Sequence, residues 1–229
     1  MKFFFLVSSL ALVYAHSYAQ NDQWTVKAGE SIEHGLGDSI IYRYPQFTQG
    51  VVYFKDGRAS HALLNLNFVT GEMQFIALSK DTLAIANKIT IKYITIQSDT
   101  FYFDKVYIEL IHGNTEAKLG KLEIIKVSDI KKEGAYGQMS STSAINTTNS
   151  FYSDNQSYKL TEKSAVTLHK ETVFYIGDRF NNFLPAVKKN IHKMFNTKMS
   201  RIEPFMKENK IVLNKEDDLI KLIDFLEKT

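Results

Sequence analysis

The chain has 229 residues, of which 44% are apolar and 23% are charged, and its formal net charge is +3. This length and composition are typical of a globular protein with one sizeable core or two small ones. The small net charge indicates neither a nucleic-acid partner nor a strongly anionic membrane surface. The sequence contains no cysteine, which excludes disulfides, thiolate metal ligands and a cysteine nucleophile.

Residues 1–19 have the pattern of a cleaved secretory signal peptide. Lys2 precedes an apolar stretch over residues 3–14, and small residues follow at Ser17 and Ala19. The alternative is a membrane anchor, but a spanning helix needs roughly 20 apolar residues. No cysteine follows the cleavage site to carry a lipid. We therefore expect a secreted or periplasmic protein, not a lipoprotein, with no stable membrane insertion after cleavage.

Residues 20–130 are predicted to form an antiparallel β-meander. Alternating apolar and polar segments recur at a spacing of roughly ten residues, with short links between them. Such regularity is typical of a curved sheet or a partly closed barrel.

The turn at Asp56 and Gly57 does not decide which side chains of the preceding strand lie on the same face as Ala62. A two-residue loop would place Val51 on the face of Ala62, whereas a three-residue bulged loop would place Val52 there.

Residues 62–77 predict a β-hairpin that turns at residues 69–71. If Asn67 stands opposite Glu72, one face of the hairpin carries only apolar pairs, and a slip of one residue would scramble both faces. The apolar pairs are Leu66 with Met73, Leu64 with Phe75 and Ala62 with Ala77. The other face carries Asn67 with Glu72, Asn65 with Gln74 and Leu63 with Ile76.

The candidate ligand-binding residues are Asn65, Asn67, Glu72 and Gln74. In the predicted register they form a polar patch, and amide side chains beside an aromatic ring such as Tyr53 can hold a sugar or a peptide backbone. The simpler interpretation is the solvent-exposed face of an antiparallel sheet. Because this face is expected to be exposed, Asn65→Asp should barely alter stability.

Two further segments follow the meander. Residues 131–157 are rich in Ser, Thr, Asn and Gly and are predicted to be a flexible loop or linker. Residues 158–229 are predicted to form a β-hairpin, from residues 166–168 and 173–176, and three short amphipathic helices. We expect the helices to pack on the same domain; the alternative is a separate small lobe. The whole chain is therefore predicted to have an α+β fold.

Several segments are similar to known bacterial sequences. They are RYPQFTQGVVYFKDG (residues 43–57), LLNLNFVTGEMQFI (63–76), DTLAIAN (81–87), GAYG (134–137) and NKIVLNKEDDLIKLIDFL (209–226). In these segments, and over nearly all of residues 20–229, the chain resembles a family of exported bacterial proteins of unknown function. The resemblance implies an envelope location and assigns no functional residue. Leu66 departs from the family, in which an aromatic residue is expected.

No catalytic residue, metal site or cofactor is predicted from the motifs. Five histidines lie beyond residue 19, and none forms a tight metal-binding spacing. Asp99 and Asp104 flank a short strand, where turn residues are more usual than an acid/base pair. The sequence favours an exported, non-catalytic binding or scaffold protein of the bacterial envelope, with an unknown protein or glycan of the envelope as its partner. The alternative is an exported hydrolase whose site is assembled from dispersed residues.

Overall fold

The computed structural model describes residues 23–133, 139–142 and 164–228. This part of the chain forms one large antiparallel sheet followed by a C-terminal helical segment, which confirms the predicted α+β class with a meander-like sheet. The predicted signal peptide, residues 1–19, lies outside the described residues.

Most strands of the sheet pair with their neighbours in sequence. The strands are β1 (Gln23–Val26), β2 (Thr48–Phe54), β3 (Ala59–Asn67), β4 (Glu72–Ile76), β5 (Thr82–Ala84), β6 (Ile91–Ile96), β7 (Asp99–Asp104), β8 (Val106–Gly113), β9 (Ala117–Glu133), β10 (Met139–Thr142), β11 (Ser164–Asp178) and β12 (Phe183–Pro185). Their order is β1-β11-β9-β8-β7-β6-β2-β3-β4-β5, with β10 beside β9 and β12 beside β11. The order ends in two different edge strands, so the sheet is open.

The sheet is strongly curved. The N–H of Ile125 in β9 donates a hydrogen bond of 2.8 Å to the carbonyl of Phe68, immediately after β3. In the strand order β9 and β3 are five places apart, which would separate them by about 24 Å in a flat sheet. The hydrogen bond therefore requires the sheet to bend back on itself.

The predicted hairpin register is confirmed. Asn67 pairs with Glu72 and Leu64 pairs with Phe75, as the apolar pattern requires. Leu64 and Met73 are fully buried in the core that fills the inside of the curve.

The turn between β2 and β3 has the three-residue form. Gly50 is the partner of Ala62, so Val52 lies on the same face as Ala62. The N–H of Phe54 bonds to the carbonyl of Arg58 (2.9 Å), which closes the loop. Gly57 has a φ of +89°, a conformation that favours glycine.

The predicted pairing of residues 166–168 with 173–176 does not form; the hairpin within residues 158–229 is made instead by β11 and β12, where Ile176 pairs with Leu184. Ser164–Asp178 is one continuous strand, β11, which pairs with β9 along its length, with one irregularity at Thr167. The predicted loop, residues 131–157, begins inside β9 and includes β10, which pairs with the end of β9. Residues 134–138 and 143–157 lie outside the described residues.

The helices cover two parts of the sheet. They are α1 (Ile32–Leu36), α2 (Asp38–Ile41), α3 (Lys188–Met194), α4 (Met199–Glu208) and α5 (Glu216–Glu227). Residues of α1 and α2 join the core inside the curve. The apolar faces of α3–α5 bury Ala117, Leu119 and Ile176 of β9 and β11 in a second core. Among the described residues, no helix combines the length and the apolar character needed to cross a bilayer.

Candidate functional site

Asn65 is buried and not exposed as predicted. Its side chain is only 1% exposed. Its Oδ1 accepts a hydrogen bond from the N–H of Tyr44 (3.0 Å), and its Nδ2 donates to the carbonyl of the same residue (2.9 Å). The side-chain amide of Asn65 therefore makes the two hydrogen bonds to the backbone of Tyr44 that a neighbouring strand would otherwise make.

Asn67 is also buried, at 5% exposure. Its Oδ1 accepts hydrogen bonds from the N–H groups of Val69 and Thr70, and its Nδ2 donates to Gln74 at 3.4 Å. Asparagine commonly stabilises turns in this way. The polar groups of Asn65 and Asn67 are thus engaged by the fold, while Gln74 is half-buried.

Glu72 is half-buried beside two groups that the sequence did not associate with it. One carboxylate oxygen is paired with the ammonium of Lys88, and the other has no hydrogen-bond partner among the described residues. The hydroxyl of Tyr107, which is buried, also has no such partner.

The face that carries the two asparagines is covered by the segment before β2. Tyr42 forms an isolated antiparallel bridge with Asn67, and the N–H of Arg43 bonds to the carbonyl of Leu66 (3.0 Å). This segment extends the sheet beyond the end of β2, alongside β3. The interpretation of this face as solvent-exposed is therefore wrong for the two asparagines, whereas Glu72 and Gln74 are half-buried.

Because the segment lies there, Arg43 reaches the acidic residues of β7 and β8. Its guanidinium donates to both oxygens of Glu109 (3.0 and 3.1 Å) and to Asp99 (3.2 Å). The hydroxyl of Tyr44 donates to the same Asp99 oxygen at 2.6 Å. Asp99 was predicted to flank β7 and is in fact its first residue; its ion pair was not predicted.

The charged network continues across β9 and β11. Lys170 pairs with Glu123 (3.0 Å), and its ammonium lies 4.2 Å from the ring centre of Phe68. Lys121 lies 3.6 Å from Glu123 and 3.9 Å from Glu109. Three cations and three carboxylates therefore balance one another on the concave side of the sheet.

The network fixes the ionisation of its members. Burial alone would raise the pKa of Glu123, but the hydrogen bond from Lys170 and the charges of Lys170 and Lys121 hold that pKa below its usual value. The hydrogen bond to Glu109 raises the pKa of Arg43 against the opposing effect of burial. Both side chains are charged at neutral pH.

A cavity of about 400 Å³ opens over this network; we call it the Arg43 cavity. Its lining combines aromatic rings with charged groups from five parts of the chain. The lining residues are Trp24, Ser39, Ile40, Tyr42, Arg43, Phe68, Lys121, Glu123 and Lys170. Ligand sites commonly pair apolar and aromatic walls with a few placed polar groups, which is the composition found here.

A second cavity, of about 430 Å³, lies near a row of tyrosines. The ring centres of Tyr53 and Tyr93 are 4.6 Å apart, and those of Tyr93 and Tyr102 are 6.3 Å apart. These rings lean against one another, so part of each ring face is already covered. Charged groups line this second cavity too, namely Lys55, Lys92 and Asp104. The Arg43 cavity is the stronger candidate because its lining charges are held in place by ion pairs with one another.

Two of the five histidines in the described residues contact neighbouring carboxylates. His112 lies 2.6 Å from Asp224 of α5, and His192 lies 3.0 Å from Glu203. No group of three His, Asp or Glu residues suited to a metal ion occurs in the described part of the chain.

The sequence carried little signal for the Arg43 cavity. Arg43 stands between two tyrosines and before a proline, which resembles the end of a short strand. Its partner Glu109 is 66 residues away, in a regular alternating strand. Only the position of Glu109 on the inward face of that strand could have suggested that its carboxylate has a buried ion-pair partner.

Comparison of the chain with protein-family models, with curated proteins and with solved structures finds no match.

Proposed function

We propose that this chain is an exported, non-catalytic binding protein of a bacterial envelope that holds a small polar ligand in the Arg43 cavity. The ligand is a fragment of an envelope glycan or protein. The observation that carries this proposal is the cavity itself, in which three aromatic rings and four charged side chains converge.

The proposed export is supported by the sequence. The charged start, the apolar stretch and the small residues near Ala19 have the order expected of a cleaved signal peptide. The resemblance to exported bacterial proteins favours the same location.

A binding function is supported by how firmly the charged groups are held. Arg43, Glu123 and Lys170 each have a partner at 3.0 Å, so their positions are set before a ligand arrives. Preorganised polar groups lower the entropic cost of binding.

The alternative, an exported hydrolase, is less well supported by the same site. Glu123 is the only carboxylate that lines the cavity. A general acid needs a raised pKa, whereas the lysines beside Glu123 lower its pKa. Glu123 is therefore suited to accept a hydrogen bond and poorly suited to donate a proton.

The experiment combines cell fractionation with native mass spectrometry of protein purified from its own host. We expect the chain in the envelope or secreted fraction, with one small molecule bound. Ser39→Trp should abolish the bound mass because the indole fills the cavity. Ser79→Trp, at an exposed turn away from the cavity, should retain it.

A cytoplasmic location, a ligand-free protein or a bound mass that survives Ser39→Trp would contradict the proposal. Release of fragments from envelope polymers by the wild type, abolished by Glu123→Gln, would support the hydrolase instead.

A further inference from the structure

We infer that the ligand of the Arg43 cavity carries a carboxylate and that the ammonium of Lys121 receives it. This inference rests on the proposed function, since it specifies the ligand of the same cavity.

Of the three cations in the network, Lys121 has the longest distances to its carboxylate neighbours. Its Nζ is 3.6 Å from Glu123 and 3.9 Å from Glu109, and both separations exceed hydrogen-bond length. The two carboxylates therefore attract the ammonium without accepting a hydrogen bond from it. Its side chain is 23% exposed and lines the cavity. An oxygen anion in the cavity would supply the short contact that is missing.

The charges that face the cavity are unequal. Arg43, Lys121 and Lys170 line it, whereas Glu123 is the single lining carboxylate. Glu109 contacts Arg43 but does not line the cavity. A ligand in the cavity therefore meets three cations and one anion, although the complete network is balanced.

A single carboxylate is enough to complete the contacts of this arrangement. Arg43 and Lys170 already have carboxylate partners at 3.0 Å, so only the ammonium of Lys121 lacks a close anion. One monoanionic carboxylate supplies that contact. Trp24 and Tyr42 form a wall for the carbon skeleton of the ligand.

Trp24 is a built-in reporter of binding. It is the only tryptophan in the chain, and it lines the cavity. The test is a fluorescence titration of the whole mature protein with two matched pairs of probes. Glucuronate is compared with glucose, and N-acetylalanine with N-acetylalaninamide. The first pair tests a sugar acid as the source of the carboxylate, and the second tests a peptide C-terminus.

We expect one of the two acids to change the Trp24 emission with a Kd of roughly 1 mM, as for a fragment-sized ligand. Its neutral counterpart should bind at least about tenfold more weakly. Lys121→Gln should raise the Kd of the acid by about tenfold, whereas Lys121→Arg should retain binding.

Lys126→Gln is the matched control. Lys126 lies in the same strand with a similar side-chain exposure, 18%, but pairs with Glu171 and does not line the cavity. Its substitution should leave the Kd unchanged. The urea midpoint of each variant shows whether it is folded.

Three results would overturn the inference. If an acid and its neutral counterpart bind equally well, the cavity binds ligands without selecting a carboxylate. The inference then fails, and the proposed function stands. Unchanged binding in folded Lys121→Gln would assign the carboxylate to another residue. If neither acid changes the emission at about 50 mM, which is 50-fold above the expected Kd, a carboxylate ligand is rejected. The bound mass in the native protein then still tests the proposed function separately.

Discussion

The guanidinium of Arg43 donates two hydrogen bonds, of 3.0 and 3.1 Å, to the two carboxylate oxygens of Glu109. The pair joins the segment before β2 to β8 across the inside of the curved sheet. The side chain of Glu109 is only 11% exposed, so its charge depends on this partner. Planar two-point contacts of this kind require arginine, which lysine cannot replace.

Removal of Arg43 should destabilise the fold because it leaves the buried carboxylate of Glu109 without a hydrogen-bonded cation, with only Lys121 at 3.9 Å. We expect Arg43→Met to lower the free energy of unfolding by about 3 kcal/mol. Arg43→Met combined with Glu109→Gln should recover part of that loss, since the second change removes that buried charge. Urea unfolding measures both.

The control for Arg43 is Arg58, whose ion pair with Asp56 lies on the surface. Arg58→Met should leave the urea midpoint unchanged. A midpoint in Arg43→Met that matches this control would show that the Arg43–Glu109 pair contributes nothing to stability.

Asn65→Asp should be strongly destabilising, contrary to the expectation for an exposed face. The introduced carboxylate would lose the donor to the Tyr44 carbonyl and place a buried charge beside it, at a cost of about 3 kcal/mol. The protonated form restores the donor, so the pKa of the introduced group is higher in the folded chain. The loss should therefore shrink as the pH falls from the raised folded-state pKa towards about 4, the unfolded value, and should change little below that pH.

Gln49→Glu, at an exposed amide on neighbouring β2, is the matched control and should have little effect at any pH. Equal urea midpoints for the two variants would mean that the Asn65 amide is dispensable.

Two buried tyrosines should respond in opposite ways to loss of their hydroxyl. Tyr44 donates to Asp99, so Tyr44→Phe should cost about 2 kcal/mol. The hydroxyl of Tyr107 has no partner among the described residues, so Tyr107→Phe should leave the urea midpoint unchanged or raise it. Comparable losses in both variants would indicate a bound water at Tyr107.

The same two phenols should make the fold sensitive to alkali. Burial raises the pKa of Tyr44 and of Tyr107, and the charges of Asp99 and Glu72 respectively raise it further. Above about pH 10 the unfolded chain loses these protons first, so the free energy of unfolding falls as the pH rises. Each Phe variant should reduce this slope, measured by urea unfolding at a series of alkaline pH values.

The second core should depend on α5. Leu222 is fully buried against the sheet, so Leu222→Ala should lower the free energy of unfolding by about 3 kcal/mol through the cavity that it leaves. Leu78 is fully exposed, and Leu78→Ala provides the same chemical change without burial. A similar urea midpoint in the two variants would show that α5 is not part of the stable core.

The sequence predicted local features well because their cause is local. The pairing of Leu64 with Phe75 follows from alternation, and a register slip would expose the apolar face. The burial of Asn65 was not predicted because Tyr44, the residue that covers it, lies 21 residues earlier in the sequence. The strand pattern around Tyr44 ends at a proline and does not indicate this contact. Asparagine in an alternating strand looks like a surface residue until its partner is known.

The continuous strand β11 was missed for a related reason. His169, Lys170 and Glu171 interrupt the apolar pattern and resemble a turn, yet each pairs with a residue of β9. Lys170 faces the charged network, where polar side chains are stabilised by ion pairs. Residues of a charged network inside a sheet can thus resemble a break in secondary structure.

The hydrogen bond between Ile125 and Phe68 has a consequence for folding. It joins residues that are distant in sequence and five strands apart in the sheet. Distant contacts of this kind slow folding because the chain must close a long loop first. The cavity draws its lining from both sides of this junction. A ligand held in the Arg43 cavity should therefore slow unfolding, because it would hold that junction closed.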